Sequence, residues 1–169
     1  MFSIQECPIP ANTLLDKYSM DGGYADCYST EIPGQVSFSE FVFFFYTTYL
    51  FKLERLILQW TISKPSTDPQ ARQLADGIRI TFAAWQVENH NQNELLMCDF
   101  QGQTRSWMMV VPVSSVQTRL YFGSAVVPNQ NTITGERSIG FVYRALLGFH
   151  RIYSILLLYS AKWRIMSQK

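Results

Sequence analysis

The sequence predicts an α+β protein, because its strand-like runs cluster between two helical patterns instead of alternating with helices. Four strand-like runs follow one another over residues 78–127, and short turns rich in Asn, Gly, Pro or Ser separate them. A helical pattern precedes these runs at residues 37–60, and a longer one follows at residues 139–166. Apolar residues make up 47% of the chain and charged residues 16%, which favours a packed core over a disordered chain.

The first part of the chain is predicted to be an irregular arm over residues 1–23, with a short turn of helix at residues 12–18. A single domain is then expected over residues 24–169, since no linker or internal repeat divides it. Its first strand is predicted at residues 25–32, where it ends at the turn that begins with Pro33.

The first helix is predicted to begin at a capping box, in which Ser37 and Glu40 can each bond the backbone of the other. The helical pattern reaches Trp60 with a break near Thr47. A shorter helix is predicted over residues 68–75, because Asp68 and Pro69 are favourable starting residues.

The four later runs predict an antiparallel meander, because the connections between them are short. They cover residues 78–88, 94–101, 103–111 and 116–127. Together with the first strand they would form a sheet of about five strands. A polar loop at residues 129–138 is expected to lead into the long C-terminal helix.

This order of elements is similar to the helix-grip fold of the START and birch-pollen-allergen-like superfamily, over about residues 24–166. In that fold a curved antiparallel sheet wraps a long C-terminal helix and often encloses a ligand cavity. Short strings also resemble a bacterial family that has no assigned activity and is often placed in that superfamily. The strings are Tyr24-Ala25-Asp26, Thr104-Arg105-Ser106-Trp107, Leu120-Tyr121-Phe122-Gly123-Ser124 and His150-Arg151-Ile152-Tyr153. The resemblance implies a fold and a cavity, and no functional residue can be transferred from it.

Charge and cysteine content exclude several functional classes. The net charge is +1 and no run of Lys or Arg occurs, which argues against nucleic-acid binding. The three cysteines are widely spaced and include no C-x-x-C, so they do not indicate a disulfide framework. We expect reduced, mostly buried thiols. Because the N-terminus also lacks a signal-peptide pattern, we expect a cytoplasmic protein.

Two apolar segments, residues 41–51 and 152–161, are too short to span a membrane, which takes about 20 apolar residues. We interpret both as core helices, and no polybasic flank accompanies either of them. Metal binding is not expected, because the two histidines, His90 and His150, have no second ligand at a suitable spacing. No nucleotide-binding motif is present, so no cofactor is expected.

Glu54 is a candidate general base or polar anchor, because the helical pattern places it on the apolar face of its helix. The opposite face, with Lys52, Arg55 and Gln59, is expected to be solvated. The apolar neighbours predicted for Glu54 are Phe43, Leu50, Phe51 and Leu58. The alternatives are an ordinary ion pair of Glu54 with an arginine such as Arg55 or Arg79, or a helix that lies closer to solvent.

His150 is a second acid–base candidate and could also contact a ligand, if the long helix lines a cavity. The alternative is a hydrogen-bonded histidine in the core or at its boundary. Alternation along the third of the four later runs places Arg105 and Trp107 on one face, where they could hold a carboxylate-bearing ligand. The alternative is a salt bridge of Arg105 with Asp99. Trp85 and Tyr121 complete the predicted set of ligand-binding residues, which also contains Asp99.

The leading functional hypothesis is the binding of a small, largely apolar molecule between the sheet and the C-terminal helix. Its basis is the 15% aromatic content, the low charge and the resemblance in topology. One alternative is an enzyme of the cyclase, isomerase or hydrolase kind that uses Glu54 or His150 as acid or base. Another is an interaction protein that forms a homodimer through exposed aromatic residues.

Overall fold

The chain forms an antiparallel sheet with four α-helices, and the computed structural model describes residues 3–19, 24–127 and 141–168. The strands are β1 (Gln5–Glu6), β2 (Tyr24–Pro33), β3 (Thr81–Phe82), β4 (Trp85–His90), β5 (Glu94–Asp99), β6 (Thr104–Ser114) and β7 (Gln117–Val126). The helices are α1 (Phe38–Tyr46), α2 (Tyr49–Ile62), α3 (Asp68–Ala75) and α4 (Phe141–Met166). The α+β class and the C-terminal helix agree with the prediction.

The sheet has seven strands in the order β1-β2-β7-β6-β5-β4-β3, and all neighbouring strands are antiparallel. The two strands beyond the predicted number are short edge strands. The predicted run at 78–88 is interrupted at Ala83, which has a positive φ of 51°, so it forms β3 and β4. β1 lies in the arm that was predicted to be irregular, because its pairing with Tyr28 and Ser29 depends on a distant segment.

Local signals located the helix starts correctly. The Ser37 hydroxyl accepts a hydrogen bond from the Glu40 amide (3.2 Å), and the Glu40 carboxylate accepts one from the Ser37 amide (2.9 Å). α1 ends at Tyr46, with Thr47 at the predicted break as its C-cap, and α3 begins at Asp68 after a second capping box. The predicted loop at 129–138 lies outside the described residues.

The two faces of the sheet are covered by different parts of the chain. The helix face packs against α1, α2 and α4 and carries, among others, Tyr28, Met108 and Phe122. The arm face is covered by the N-terminal arm, residues 3–19, and has its own apolar cluster. The buried members of that cluster are Leu15, Cys27, Leu96, Trp107, Met109 and Ala125.

Gly123 lets the arm approach the sheet closely. A Cβ atom at this position would lie 2.6 Å from a methyl carbon of Leu15 and 2.8 Å from the carbonyl oxygen of Asp26. No side chain fits in that space, since real Cβ contacts are longer. The glycine within the Leu120–Ser124 string therefore has a structural role in seating Leu15 on β7.

The outward surface of α2 differs from the prediction. Arg55 is buried and forms an ion pair with Asp68 (Nη1–Oδ1 2.7 Å), to which Lys52 also binds. The predicted solvated face is therefore partly buried, and the side chain of Gln59 lies outside the described set. Large apolar side chains are exposed on α2 instead: Tyr49, Leu53, Leu56, Ile57 and Trp60.

α4 presents a matching outward stripe, spaced as one face of a helix. Its exposed apolar side chains are Ile152, Ile155, Leu156, Tyr159, Trp163 and Met166. We call these two stripes together the α2/α4 apolar face. The predicted core segment at 152–161 is thus a boundary helix, with Leu157 and Leu158 buried on its inner side. Within the described ranges, no helix has the length and apolar character that crossing a membrane requires.

Candidate functional site

A cavity of about 220 Å³ lies between the helix face of the sheet and helices α1, α2 and α4. Its apolar walls come from both layers and consist of Phe45, Phe51, Trp85, Phe122 and Leu157. The polar residues of its lining are Glu54, Thr104, Arg105, Ser106, Ser124, Tyr153 and Ser154. The cavity is therefore an aromatic space with a few converging polar groups, which is the usual composition of a small-molecule site.

Glu54 reaches this cavity because α2 turns Phe51 and Glu54 inward, three residues apart, while Leu53 and Ile57 point outward. Its carboxylate accepts a hydrogen bond from the Tyr153 hydroxyl of α4. Neither predicted ion pair forms: Arg55 binds Asp68, and Arg79 donates to the carbonyl of Thr81. The apolar-face prediction for Glu54 agrees with this position.

The surroundings of Glu54 disfavour its charge. Glu54 is only partly buried as a whole residue, but its carboxyl is largely removed from water. This desolvation is the largest contribution to its pKa, and it raises the pKa. Hydrogen bonds from Tyr153 and from the Trp85 indole act in the opposite direction and only partly compensate. The pKa of Tyr153 is also raised, by burial and by the neighbouring Glu54 charge. A carboxyl in this setting takes up or releases a proton closer to neutral pH than an ordinary glutamate does.

A buried serine hydroxyl in the cavity wall has unused hydrogen-bonding capacity. The side chain of Ser154 is fully buried, and its hydroxyl has no hydrogen-bond partner among the residues that the structure describes. Ser154 lines the cavity directly. Buried hydroxyls without partners are uncommon in folded proteins, so Ser154 is suited to bond a molecule in the cavity.

Asp26 forms the polar wall behind Ser124. Its carboxylate accepts from the backbone N–H and the hydroxyl of Ser124 and from the hydroxyls of Tyr24 (3.0 Å) and Tyr28 (3.3 Å). Asp26 is not among the predicted site residues, although alternation along β2 places residues 24, 26 and 28 on one face. Because its acceptor sites are occupied, Asp26 braces the cavity wall.

Tyr153 was also not selected, although it provides the hydrogen bond that holds Glu54. A helical wheel could have indicated it, since Tyr153, Ser154 and Leu157 share the inward side of α4. The link between Tyr153 and Glu54 could not be predicted, because the two residues are 99 positions apart.

Arg105 and Trp107 lie on one face of β6, as alternation predicted, but their side chains point to the arm face. The Trp107 indole is completely buried under the arm and donates to Glu94 (2.8 Å). The Arg105 guanidinium forms an ion pair with Glu88, not with Asp99, and donates to the Tyr18 hydroxyl (3.0 Å). Arg105 is part of the cavity lining, but its guanidinium lies on the other face of the sheet, with Glu88 and Tyr18. The structure does not bring these two side chains between the sheet and α4.

The other predicted ligand-binding residues lie in several places. Trp85 lines the cavity beside Glu54. Tyr121 packs against Trp107 on the arm face. Asp99 caps the β5–β6 turn by accepting from the amides of Gln103 and Thr104. The side chain of His150 lies outside the described set, so its predicted role stays a prediction.

Within the described parts of the chain, no group of three or more His, Cys, Asp or Glu side chains is placed to hold a metal ion. Comparison with protein-family models, curated proteins and solved structures gave no match. Glu54 and Tyr153 can exchange protons or hydrogen bonds with a small molecule held by the aromatic walls.

Proposed function

We propose that this chain binds a small, largely apolar molecule that carries one uncharged polar group, in the cavity beside Glu54. The observation on which this depends is a carboxyl inside an aromatic cavity with no cation paired to it among the described residues. A buried carboxyl without a cation is costly to the fold, which suits a site that acts on a ligand.

The size of the cavity limits the ligand to about one substituted ring. At about 220 Å³ it is larger than the roughly 150 Å³ cavity that holds benzene and smaller than most sites for drug-sized molecules. The ring would contact Phe45, Trp85 and Phe122. A hydroxyl or carbonyl on the ring would bond Glu54 or Ser154, whereas a ligand carboxylate would be repelled by Glu54.

A helix-grip-like architecture, and kinship with the bacterial family that the sequence resembles, are part of this proposal. The helices α1, α2 and α3 follow the first long strand, and α4 packs against β2 and β7, which supports the assignment. The cavity lies between the sheet and the C-terminal helix, where that fold often holds its ligand.

We expect benzyl alcohol to bind with a Kd of about 1 mM or tighter, and benzoate to bind at least tenfold more weakly. Chemical-shift perturbation in NMR spectra measures both values. Leu157→Trp should abolish binding because it fills the cavity, and Val116→Ser, at an exposed turn, should leave it unchanged. Equal binding by wild type and Leu157→Trp would contradict the site, and so would absence of binding to the wild type.

Acid–base catalysis is a second candidate, favoured by the raised pKa of Glu54 and its hydrogen bond to Tyr153. With cyclohexanone in D₂O as the probe, the same spectra report exchange of the protons next to the carbonyl. Exchange accelerated by wild type but not by Glu54→Gln would assign proton transfer to this site. Equal rates for the two proteins would leave binding alone as the function.

A further inference from the structure

Cys7 and Cys27 lie directly opposite each other on neighbouring stretches of chain. The register of β1 and β2, in which Glu6 pairs with Tyr28, continues to these two residues. The Cys7 amide donates to the Cys27 carbonyl (2.9 Å), and the two sulfur atoms are 3.4 Å apart. Opposite residues of antiparallel strands have Cα separations of about 4.5–5.5 Å, within the range that a disulfide can bridge.

The two thiols differ in access to solvent. Cys27 is buried under the arm, and Cys7 is partly exposed. Cys7 also lines a separate cavity of about 580 Å³ on the arm face, where Glu31, Arg119 and Tyr121 form part of the wall. A small oxidant can therefore reach Cys7 first, with Cys27 directly behind it.

The charges around the pair favour a thiolate at Cys7. A hydrogen bond from Cys27 lowers the pKa of Cys7 to about 7, with further help from Ser29 and Arg119, while burial and Glu6 oppose the change. The same hydrogen bond, burial and the charges of Cys7 and Asp26 raise the pKa of Cys27. Glu31, the remaining charged group in the cavity wall, is held by its ion pair with Arg119. Cys7 is thus the nucleophile, and Cys27 keeps its proton.

We propose that Cys7 and Cys27 form a thiol pair that a hydroperoxide oxidises to a disulfide. The Cys7 thiolate attacks the terminal peroxide oxygen, so that an S–O bond forms, the O–O bond breaks and the departing oxygen takes a proton to leave as water or an alcohol. Cys27 then attacks the sulfur of the Cys7 sulfenic acid. The S–S bond forms as the S–O bond breaks, and hydroxide leaves with the Cys27 proton as water. Two thiols are oxidised and one peroxide is reduced.

The test treats the whole chain with one equivalent of hydrogen peroxide near pH 7 and follows its intact mass. We expect a loss of about 2 Da and a peptide that links Cys7 to Cys27. Cys27→Ala should stop at a sulfenic acid on Cys7, which dimedone traps. Cys98→Ser is the matched control and should react like the wild type, because Cys98 lies outside the pair and burial raises its pKa.

Cys7 should react at least about tenfold faster than Cys98, and Cys7→Ser should abolish the fast reaction. Cys7 is partly exposed, so Cys7→Ser is expected to fold, which thermal melting checks. Equal reactivity of Cys7 and Cys98 would overturn the proposal. A disulfide that involves Cys98, or no mass loss in the wild type, would overturn it as well.

The α2/α4 apolar face supports a second and independent inference. Tyr49 is 85% exposed, Trp60 81% and Trp163 60%, fractions that are unusual for such large apolar side chains. The two helices lie side by side: Glu54 of α2 bonds Tyr153 of α4, and Tyr49 and Trp163 border one surface cavity. Trp and Tyr are the residues that prefer the boundary between water and lipid.

The charges on these two helices indicate what kind of partner the α2/α4 apolar face binds. Together they contain six Lys or Arg residues, of which Arg55 and Lys162 are buried, and one carboxylate, Glu54, which points inward. Among the described residues, Lys52 and Arg55 share Asp68 and Arg151 pairs with Glu6, while the partly exposed Arg164 and the exposed Lys64 add positive charge. In a symmetric dimer these positive charges would face their own copies, whereas the surface of an anionic bilayer complements them.

We infer that the α2/α4 apolar face docks on the surface of an anionic lipid bilayer, with its aromatic residues at the headgroup level. The probe is vesicles of phosphatidylcholine with about 30% phosphatidylglycerol, compared with phosphatidylcholine alone. We expect co-sedimentation with the anionic vesicles, weakened by salt, and a blue shift of the emission of Trp60 and Trp163.

Trp60→Ser combined with Trp163→Ser should reduce vesicle binding at least about tenfold, and both sites are exposed enough to tolerate the change. The control is Ile78→Ser, since Ile78 is 75% exposed and lies outside the face. Failure to bind anionic vesicles overturns the inference. If sedimentation instead shows that the wild type is a dimer and the double variant a monomer, the face is a dimer interface and the inference is overturned.

Discussion

Replacing Glu94 by alanine should lower the free energy of unfolding by roughly 3 kcal/mol or more. The Glu94 carboxylate is buried and accepts from the Leu14 amide (2.8 Å), the Trp107 indole (2.8 Å) and the Asn91 side chain (2.9 Å). Alanine leaves the buried Trp107 indole and the partly buried Leu14 amide without this acceptor, whereas the exposed Asn91 side chain can bond water. Each buried donor left unpaired costs about 1–3 kcal/mol. The arm should loosen with it, since Leu14 is part of the arm.

Urea denaturation measures this loss, and tryptophan emission should shift to the red as Trp107 becomes hydrated. The control is Glu6→Ala, which removes an exposed carboxylate that pairs with Arg151 on the surface. It should change the free energy of unfolding by no more than about 0.5 kcal/mol. A Glu94→Ala variant as stable as Glu6→Ala would show that the arm does not depend on Glu94.

Glu54→Gln should stabilise the protein at neutral pH, by about 1–3 kcal/mol. The pKa of Glu54 is raised in the folded chain, mainly by desolvation, so between the unfolded and the folded pKa the folded state holds a proton that the unfolded state has released. Unfolding free energy of the wild type therefore falls as the pH rises from the ordinary glutamate pKa, about 4.3, to the raised value. Glutamine does not titrate, so the advantage of the variant should grow over this interval and then stay constant.

Asp68→Asn is the matched control, because it should change stability in the opposite direction. Burial acts to raise the Asp68 pKa, but Lys52 and Arg55 outweigh it and lower that pKa overall. This carboxylate therefore stabilises the fold above its unfolded pKa, and the contribution is lost as the pH falls through the folded value. Denaturation curves between about pH 4 and pH 8 compare the two variants. A Glu54→Gln variant that is less stable than the wild type at pH 8 would make Glu54 a structural residue.

The two carboxylates, Glu54 and Glu94, illustrate different uses of burial. Glu94 has three donors around it and stabilises the docked arm. Glu54 accepts hydrogen bonds from Tyr153 and Trp85, but these do not offset desolvation, and its pKa is raised. Residues that reduce stability without a structural benefit are typical of functional sites, which is why the stability of Glu54→Gln tests the proposed function.

Much of the local structure could be predicted because its causes lie within a few residues. The capping box of Ser37 and Glu40 starts α1, and a helical period alone placed Glu54 on the inward side of α2. Alternation also put Arg105 and Trp107 on one face of a strand correctly. These signals depend on backbone hydrogen bonds and on side-chain periodicity, both of which are local properties.

The sequence by itself therefore determined the α+β class, the main helices and strands, and the inward position of Glu54. Only the tertiary structure decided which face of the sheet meets the helices, because that depends on where a distant arm packs. Leu15 of the arm fits over Gly123 and covers Trp107. Trp107, which was predicted to bind the ligand, therefore lies on the arm face and not in the cavity. The Glu54–Tyr153 bond and the Cys7–Cys27 pair likewise join segments far apart in the chain, and no periodicity reports such contacts.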